Sequence, residues 1–285
     1  MPRLRVSAIS YLNTAPLMWN FEHGPKREEL QRTFQVDYTL PSHCAQMLAD
    51  GSADIGIIPI AAYTSIEHLL ILPDIAIASD NAVGSILLVS KVPLEKIETV
   101  ALDCSSRSSA ALVQVLFTKH WKHEANFVPA EPELNAMLAS NDAALLIGDP
   151  ALKADRSRYL TWDLAHEWRT FAGKPFVFAF WAVRAGAASE DELAYIAEVF
   201  RTSRDVGLAH VPEIANEWSR KLELSPEFII DYLTENIQYS LHAGNVAGMQ
   251  LFFELAAELK VLPPAPELRF ARELEIRNSV LRNRF

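Results

Sequence analysis

Apolar residues along the chain fall into short runs with strand character, either alternating or continuously apolar, and these are separated by segments with a helical repeat. The pattern predicts strands at Arg5–Ile9, Gln35–Leu40, Asp54–Pro59, Ser85–Ser90, Thr99–Asp103, Ala143–Gly148 and Phe176–Val183. It predicts helices at Leu17–Phe21, Ser42–Ala49, Ser106–Trp121, Glu133–Ala139 and Asp163–Phe171. Strands alternating with helices of this length imply βαβ units and a largely parallel sheet. From Ser189 onward the pattern turns helical. Ser189-Glu-Asp-Glu192 reads as a capping box, and Ser225-Pro226 as a second helix start with proline at the first helical position.

A stretch of the sequence repeats. Met47-Leu-Ala-Asp-Gly-Ser-Ala-Asp-Ile-Gly-Ile-Ile-Pro59 aligns without gaps on Met137-Leu-Ala-Ser-Asn-Asp-Ala-Ala-Leu-Leu-Ile-Gly-Asp149. Each copy reads as a helix end, a polar turn and a buried strand, which implies two similar α/β lobes. Two such lobes followed by a helical tail resemble the type II periplasmic-binding-protein architecture, with a ligand cleft between lobes. The crossings are expected near Leu88–Val92 and Ala182–Ala185. That division gives residues 1–90 with 184–285 as lobe one, and 91–183 as lobe two.

Composition narrows the function. The chain has 285 residues, half of them hydrophobic and 22% charged, which suits a globular protein with substantial cores. Its formal net charge of -10 argues against nucleic-acid and anionic-membrane partners, so an anionic ligand needs a locally favourable site. No apolar run has transmembrane length, and Met1 leads into a strand without a secretory segment, so a cytoplasmic location is expected. Cys44 and Cys104 lack CxxC spacing, and a small buried hydrophobe is the expected role for Cys104. Homodimer formation is left open.

Candidate chemistry gathers at strand ends. Ser10-Tyr-Leu-Asn-Thr14 follows the first strand and precedes Pro16, at the sheet edge where open α/β proteins bind ligands. Asn13 offers both a donor and an acceptor; an Asx-turn is the plainer use of Asn13 and Thr14. Ser105-Ser-Arg-Ser-Ser109 precedes a long helix. One serine suffices for a cap, so the remaining serines and Arg107 point to anion binding at a helix start. Asn81-Ala-Val-Gly-Ser85 stands where the chain should pass between lobes, either as a bare hinge or with Ser85 facing the ligand. Asp149 ends a buried strand, and capping its own helix is the simpler role. In the aromatic run Gly173–Trp181, most rings belong to the core, and one such as Phe178 is a candidate apolar wall. His120 and His123 lack a third metal ligand and read as a solvated helix end. No HExxH, P-loop or GxGxxG motif is present. Arg269, Arg272, Arg277, Arg282 and Arg284 read as part of a terminal helix.

The opening Ser10-Tyr-Leu-Asn-Thr-Ala-Pro-Leu17 resembles that of the chorismate dehydratases of the futalosine route to menaquinone. Ser52-Ala-Asp-Ile-Gly-Ile-Ile-Pro59, Ser105–Ser109, Leu146–Asp149 and Asp163-Leu-Ala-His-Glu-Trp168 through Pro175–Ala179 resemble blocks of the same family, in the same order. A sibling enzyme making 1,4-dihydroxy-6-naphthoate opens with a Ser-Pro-Cys-Pro-Asn-Asp type segment, which this chain lacks. The resemblance implies a cofactor-free hydro-lyase converting chorismate to 3-[(1-carboxyvinyl)oxy]benzoate, with no metal. Asn13 is then the expected catalytic residue. Ser10, Tyr11, Thr14, Ser85, Ser106, Arg107, Ser108, Ser109, Asp149 and Phe178 are the expected substrate contacts. No general base is evident in the sequence, so the substrate's own enolpyruvyl carboxylate is the expected proton acceptor. A cytoplasmic small-anion binding protein of the same fold is the alternative.

Overall fold

The computed structural model describes residues 3–271. In chain order its first half holds β1 (Leu4–Ile9), α1 (Ala15–His23), α2 (Arg27–Thr33), β2 (Phe34–Thr39), α3 (Pro41–Asp50), β3 (Ile55–Pro59), β4 (Leu69–Ser79), β5 (Ile86–Ser90), β6 (Thr99–Asp103) and α4 (Arg107–Val115). There follow β7 (Asn126–Ala130), α5 (Leu134–Ser140), β8 (Ala143–Ile147), α6 (Gly148–Lys153), β9 (Leu160–Asp163), α7 (Leu164–Ala172) and β10 (Phe176–Arg184). The helical region comprises α8 (Glu190–Leu208), α9 (Val211–Leu222), α10 (Pro226–Asp231) and α11 (Ala243–Glu258).

Two five-stranded sheets organise these elements, in the orders β2-β1-β3-β10-β4 and β7-β6-β8-β5-β9. The orders match position by position. In each sheet the first three strands are parallel and the last two run antiparallel to their neighbours. The repeated segments become α3–β3 and α5–β8, and both strands take the central place. Both are buried along their length, which accounts for their continuous apolar sequence.

The crossings lie elsewhere than expected. β5 belongs to the second sheet and β10 to the first, so the chain passes between lobes at 80–85 and 173–175. The strand after each crossing enters the fourth position of its sheet. Its uniformly apolar sequence carries no sign of which sheet it joins, so the boundaries at 90 and 183 fall one strand late. The segment Asn81–Ser85, read as a passage between lobes, lies at the first crossing.

β4 is absent from the sequence reading because Pro73 and Asp74 interrupt it. The strand tolerates both: Asp74 adopts φ 66° within an irregular stretch of β4–β10 pairing, at the edge of the sheet. Residues near the chain's end line that edge, with Ile71 donating to Arg269 O at 2.8 Å and Ala271 donating to Ile71 O at 2.9 Å. Arg269 is thus extended rather than helical, while Arg272, Arg277, Arg282 and Arg284 lie outside the described residues. Cys44 is buried, whereas Cys104 is exposed beside Glu131, so the hydrophobic role expected of Cys104 is corrected. The helix expected through Trp121 changes to a π-helical turn at Leu116–Trp121. His120 and His123 there are partly buried, bonded to Glu167 and to Ile97 O, rather than solvated.

Helices α8 and α1 pack closely against each other in the first lobe. A Cβ on Gly207 would fall 1.8 Å from Pro16 O, so only glycine permits that approach, and Ser203 Oγ donates to Leu17 O at 2.7 Å beside it. This contact fixes the start of α1, where the candidate site begins.

Candidate active site

The end of β1 reaches the second lobe through two consecutive residues, Tyr11 and Leu12. Tyr11 is extended, and Leu12–Thr14 form a single 3-10 turn that leads into α1, with Pro16 in its first turn where no N–H is required. The Leu12 N–H, left free at this start, donates to Asp149 Oδ1 at 3.0 Å. Asp149 stands in the first turn of α6, so it satisfies a turn of the opposite lobe instead of capping its own helix. Tyr11 OH lies 3.4 Å from Ser105 Oγ, again across the lobes. The Tyr11 ring covers Gly148, which adopts φ 58°; a Cβ there would approach the ring to 2.6 Å.

Two tyrosines from the helical region close the cluster, and no local pattern marks them in the sequence. Tyr239 OH donates to Asn13 O at 2.9 Å, and Tyr232 OH donates to Ser85 Oγ at 2.9 Å. The Asn13 carboxamide adjoins the Tyr232 hydroxyl, and its Oδ1 accepts from Thr14 Oγ1 at 3.4 Å. Ser85 O accepts from Gly148 N at 2.8 Å, which ties the crossing to the Asp149 turn. The crossing is held on its other side by Asp163, whose carboxylate accepts from Val83 N at 3.1 Å and Gly84 N at 2.6 Å.

The serine loop divides by helix face. Ser106 caps α4, accepting from Ser109 N at 3.3 Å, and donates to Ser109 Oγ at 3.0 Å. Ser108 Oγ accepts from Ala61 N of the first lobe at 3.0 Å. Ser105, Ser106, Ser108 and Ser109 are all buried. Arg107 is exposed and makes no hydrogen bond or ion pair among the described residues, in contrast to the buried serines around it. About 100° of rotation per residue separates it from Ser108 and Ser109, which the helix turns inward. Ser10 is exposed and donates to Thr39 O, while Phe178 packs on Phe176 in the hydrophobic core with ring centroids 4.8 Å apart. Ser10, Tyr11 and Thr14 also border a cavity of about 210 Å³ in the first lobe, with Met18, Tyr38 and Trp218 among its walls.

Burial dominates the electrostatics. It pushes Asp149 up to about 6, against the Leu12 hydrogen bond and the Lys153 charge. Asp103 is raised as well: burial outweighs the Ser105 N–H and Oγ donors on Oδ1, and among the described residues Oδ2 has no side-chain or backbone donor with good hydrogen-bond geometry. Burial also raises Tyr11, Tyr232 and Tyr239, which therefore remain hydroxyl donors. The cluster can donate hydrogen bonds to oxygen atoms, and it contains no histidine or lysine. Among the described residues, no three His, Cys, Asp or Glu side chains are grouped to hold a metal ion, and no helix is long and apolar enough to cross a membrane.

Comparisons with known proteins place the fold and the family. A chorismate dehydratase from Thermus thermophilus is 29% identical over 276 residues, covering 90% of this chain and 94% of that one. A crystal structure of an Archaeoglobus fulgidus protein superposes with a TM-score of 0.72 at 16% identity, covering 90% and 97% of the two chains. The periplasmic aliphatic sulphonate binding protein of Escherichia coli gives a TM-score of 0.65 at 14% identity, covering 94% and 96%. These likenesses establish the two-lobed periplasmic-binding-protein fold. The sequence profile of the family described as "Menaquinone biosynthesis" matches residues 4–258, and the chain belongs to that family.

Proposed function

We propose that this chain removes water from chorismate, giving 3-[(1-carboxyvinyl)oxy]benzoate, in the cytoplasm. The observation that carries the reading is the buried cluster where the end of β1 meets the second lobe, in which Asn13, Ser85, Ser105 and Asp149 converge. Its chain belongs to a menaquinone-biosynthesis family and is similar to a chorismate dehydratase.

The reaction is redox-neutral: hydrogen leaves C3 of the ring, hydroxyl leaves C4, and the ring becomes aromatic. The protein's task is to bind a dianion, orient it and stabilise the charge that spreads onto the ring carboxylate. Helix α4 presents its N-terminus toward the first lobe, with N–H groups that the helix itself cannot satisfy. Ser108 accepts from Ala61 N and donates to no group among the described residues, so its proton is available to a substrate carboxylate. This replaces the Arg107 guanidinium as the basis of anion binding. Asn13 is fixed by Tyr239 and Thr14, so its carboxamide is ready to orient the ring substituents. Positioning of this kind contributes up to roughly 7–11 kcal/mol in favourable cases.

The substrate's enolpyruvyl carboxylate serves as proton acceptor. A second reading follows from Asp149: a carboxyl group near 6 is well matched to general-base catalysis at neutral pH. The arriving dianion, however, raises it further and favours the neutral, donating form. The pH dependence of kcat/KM separates the two. With Asp149 as donor, kcat/KM falls as pH rises through about 6 and Asp149→Asn retains activity; with Asp149 as base it rises there and the variant is inactive.

Incubation of the purified protein with chorismate, followed by liquid chromatography and mass spectrometry, tests the activity itself. An aromatic product one water lighter than chorismate is expected. Intact chorismate bound to folded protein would instead identify a small-anion receptor, and turnover only of the precursor of 1,4-dihydroxy-6-naphthoate would identify the sibling activity.

A further inference from the structure

Ser85 is fully buried at the first crossing, and its hydroxyl has a defined polarity. Its oxygen accepts from Tyr232 OH at 2.9 Å, and it donates to no group among the described residues. With the Tyr232 proton on its oxygen, the Ser85 hydroxyl has its own proton left for a further partner. Tyr232 keeps the proton it donates, because its buried phenol resists ionisation.

The backbone is shaped around this contact. Helix α10 passes at Tyr232 into a single π-helical turn, Tyr232–Asn236, an uncommon geometry often found at functional sites. The turn's first and last residues both reach the crossing: Tyr232 bonds Ser85, and Asn236 Nδ2 donates to Ala82 O at 3.0 Å. Asn13 adjoins the same Tyr232 hydroxyl, so one phenol orders groups from the first lobe and from the crossing.

We propose that Tyr232 is a positioning residue that holds Ser85 as a compulsory hydrogen-bond donor to the hydroxyl departing from C4. The inference rests on the dehydratase reading. In the step concerned, the electron pair of the former C3–H bond forms the C3–C4 double bond, and the C4–O bond breaks with its pair going to oxygen. The departing oxygen then takes the proton that C3 gave to the enolpyruvyl carboxylate, forming water. Ser85 keeps its own proton throughout and disperses charge on the oxygen while the bond breaks.

The test compares kcat and KM for chorismate in the unsubstituted protein, Tyr232→Phe, Ser85→Ala and the double variant, with thermal midpoints as a check on folding. Tyr232→Phe is expected to lower kcat about 10- to 100-fold with KM changed less than about threefold, as loss of a transition-state hydrogen bond does. The double variant is expected to be no slower than Ser85→Ala, since Tyr232 acts through Ser85. A kcat for Tyr232→Phe within about twofold of the unsubstituted protein, a loss carried by KM alone, or single losses that multiply would overturn the assignment. Should Tyr232→Phe not fold, Ser85→Ala leaves the phenol in place, and an undiminished kcat there has the same force. Absence of turnover in the unsubstituted protein marks failure of the dehydratase reading itself, and the assignment fails with it.

Discussion

Replacing Asp149 with Asn should stabilise the protein at neutral pH. The carboxyl lies at the junction of the lobes, where burial raises it from 3.8 to about 6 although Leu12 N donates to Oδ1. A folded state that binds a proton more tightly than the unfolded chain is favoured by this group at low pH. The contribution is complete below about 3.8 and is lost as pH rises to about 6. A difference of about two pKa units, at roughly 1.4 kcal/mol each, corresponds to about 3 kcal/mol. Asparagine keeps an acceptor for Leu12 N and carries no charge, so above pH 6 it avoids the cost of burying the carboxylate. The variant should therefore gain about 3 kcal/mol at pH 7.5, a rise in thermal midpoint of roughly 5–8 °C, and almost nothing at pH 4. Other carboxyl groups titrate over the same range, so the difference between the two proteins, followed by urea or thermal unfolding from pH 4 to 8, is the quantity that isolates Asp149. A variant less stable than the parent at pH 7.5, or a difference independent of pH, would refute the reasoning.

Two further substitutions contrast the junction with the exposed face of α4. Gly148→Ala combines a positive φ with a Cβ 2.6 Å from the Tyr11 ring, so it should cost roughly 2–3 kcal/mol of stability, measured by denaturant unfolding, and lower chorismate turnover. Arg107→Ala removes an exposed side chain without partners, so stability should change by less than about 0.5 kcal/mol and kcat/KM by less than about twofold.

The sequence was most legible where local pattern and environment agree. The apolar runs at Ile55–Pro59 and Ala143–Ile147 are buried central strands in equivalent places, so the repeat between them reflects a real correspondence of the two lobes. Pattern failed where tertiary context decides. Pro73 and Asp74 conceal β4, which tolerates them because it lies at a sheet edge. β5 and β10 look alike whichever sheet they join, so the crossings were displaced. At the candidate site, Asn13, Ser85 and Asp149 are visible as polar residues beside strand ends, yet their partners are not. Leu12 contributes a backbone N–H, which no side-chain motif reports. Tyr232 and Tyr239 arrive more than two hundred residues after Asn13, from a region read only as helical.

Asn13→Ala offers the most direct test of the central claim, that the junction between β1 and the second lobe dehydrates chorismate. Product one water lighter than chorismate is followed by liquid chromatography and mass spectrometry for the parent and for the variant, both confirmed as folded by their unfolding transitions. Turnover by the parent and a loss of at least about a hundredfold in the variant is the predicted result. Turnover undiminished in the variant would place the chemistry elsewhere in the molecule, and no turnover by the folded parent would contradict the activity itself.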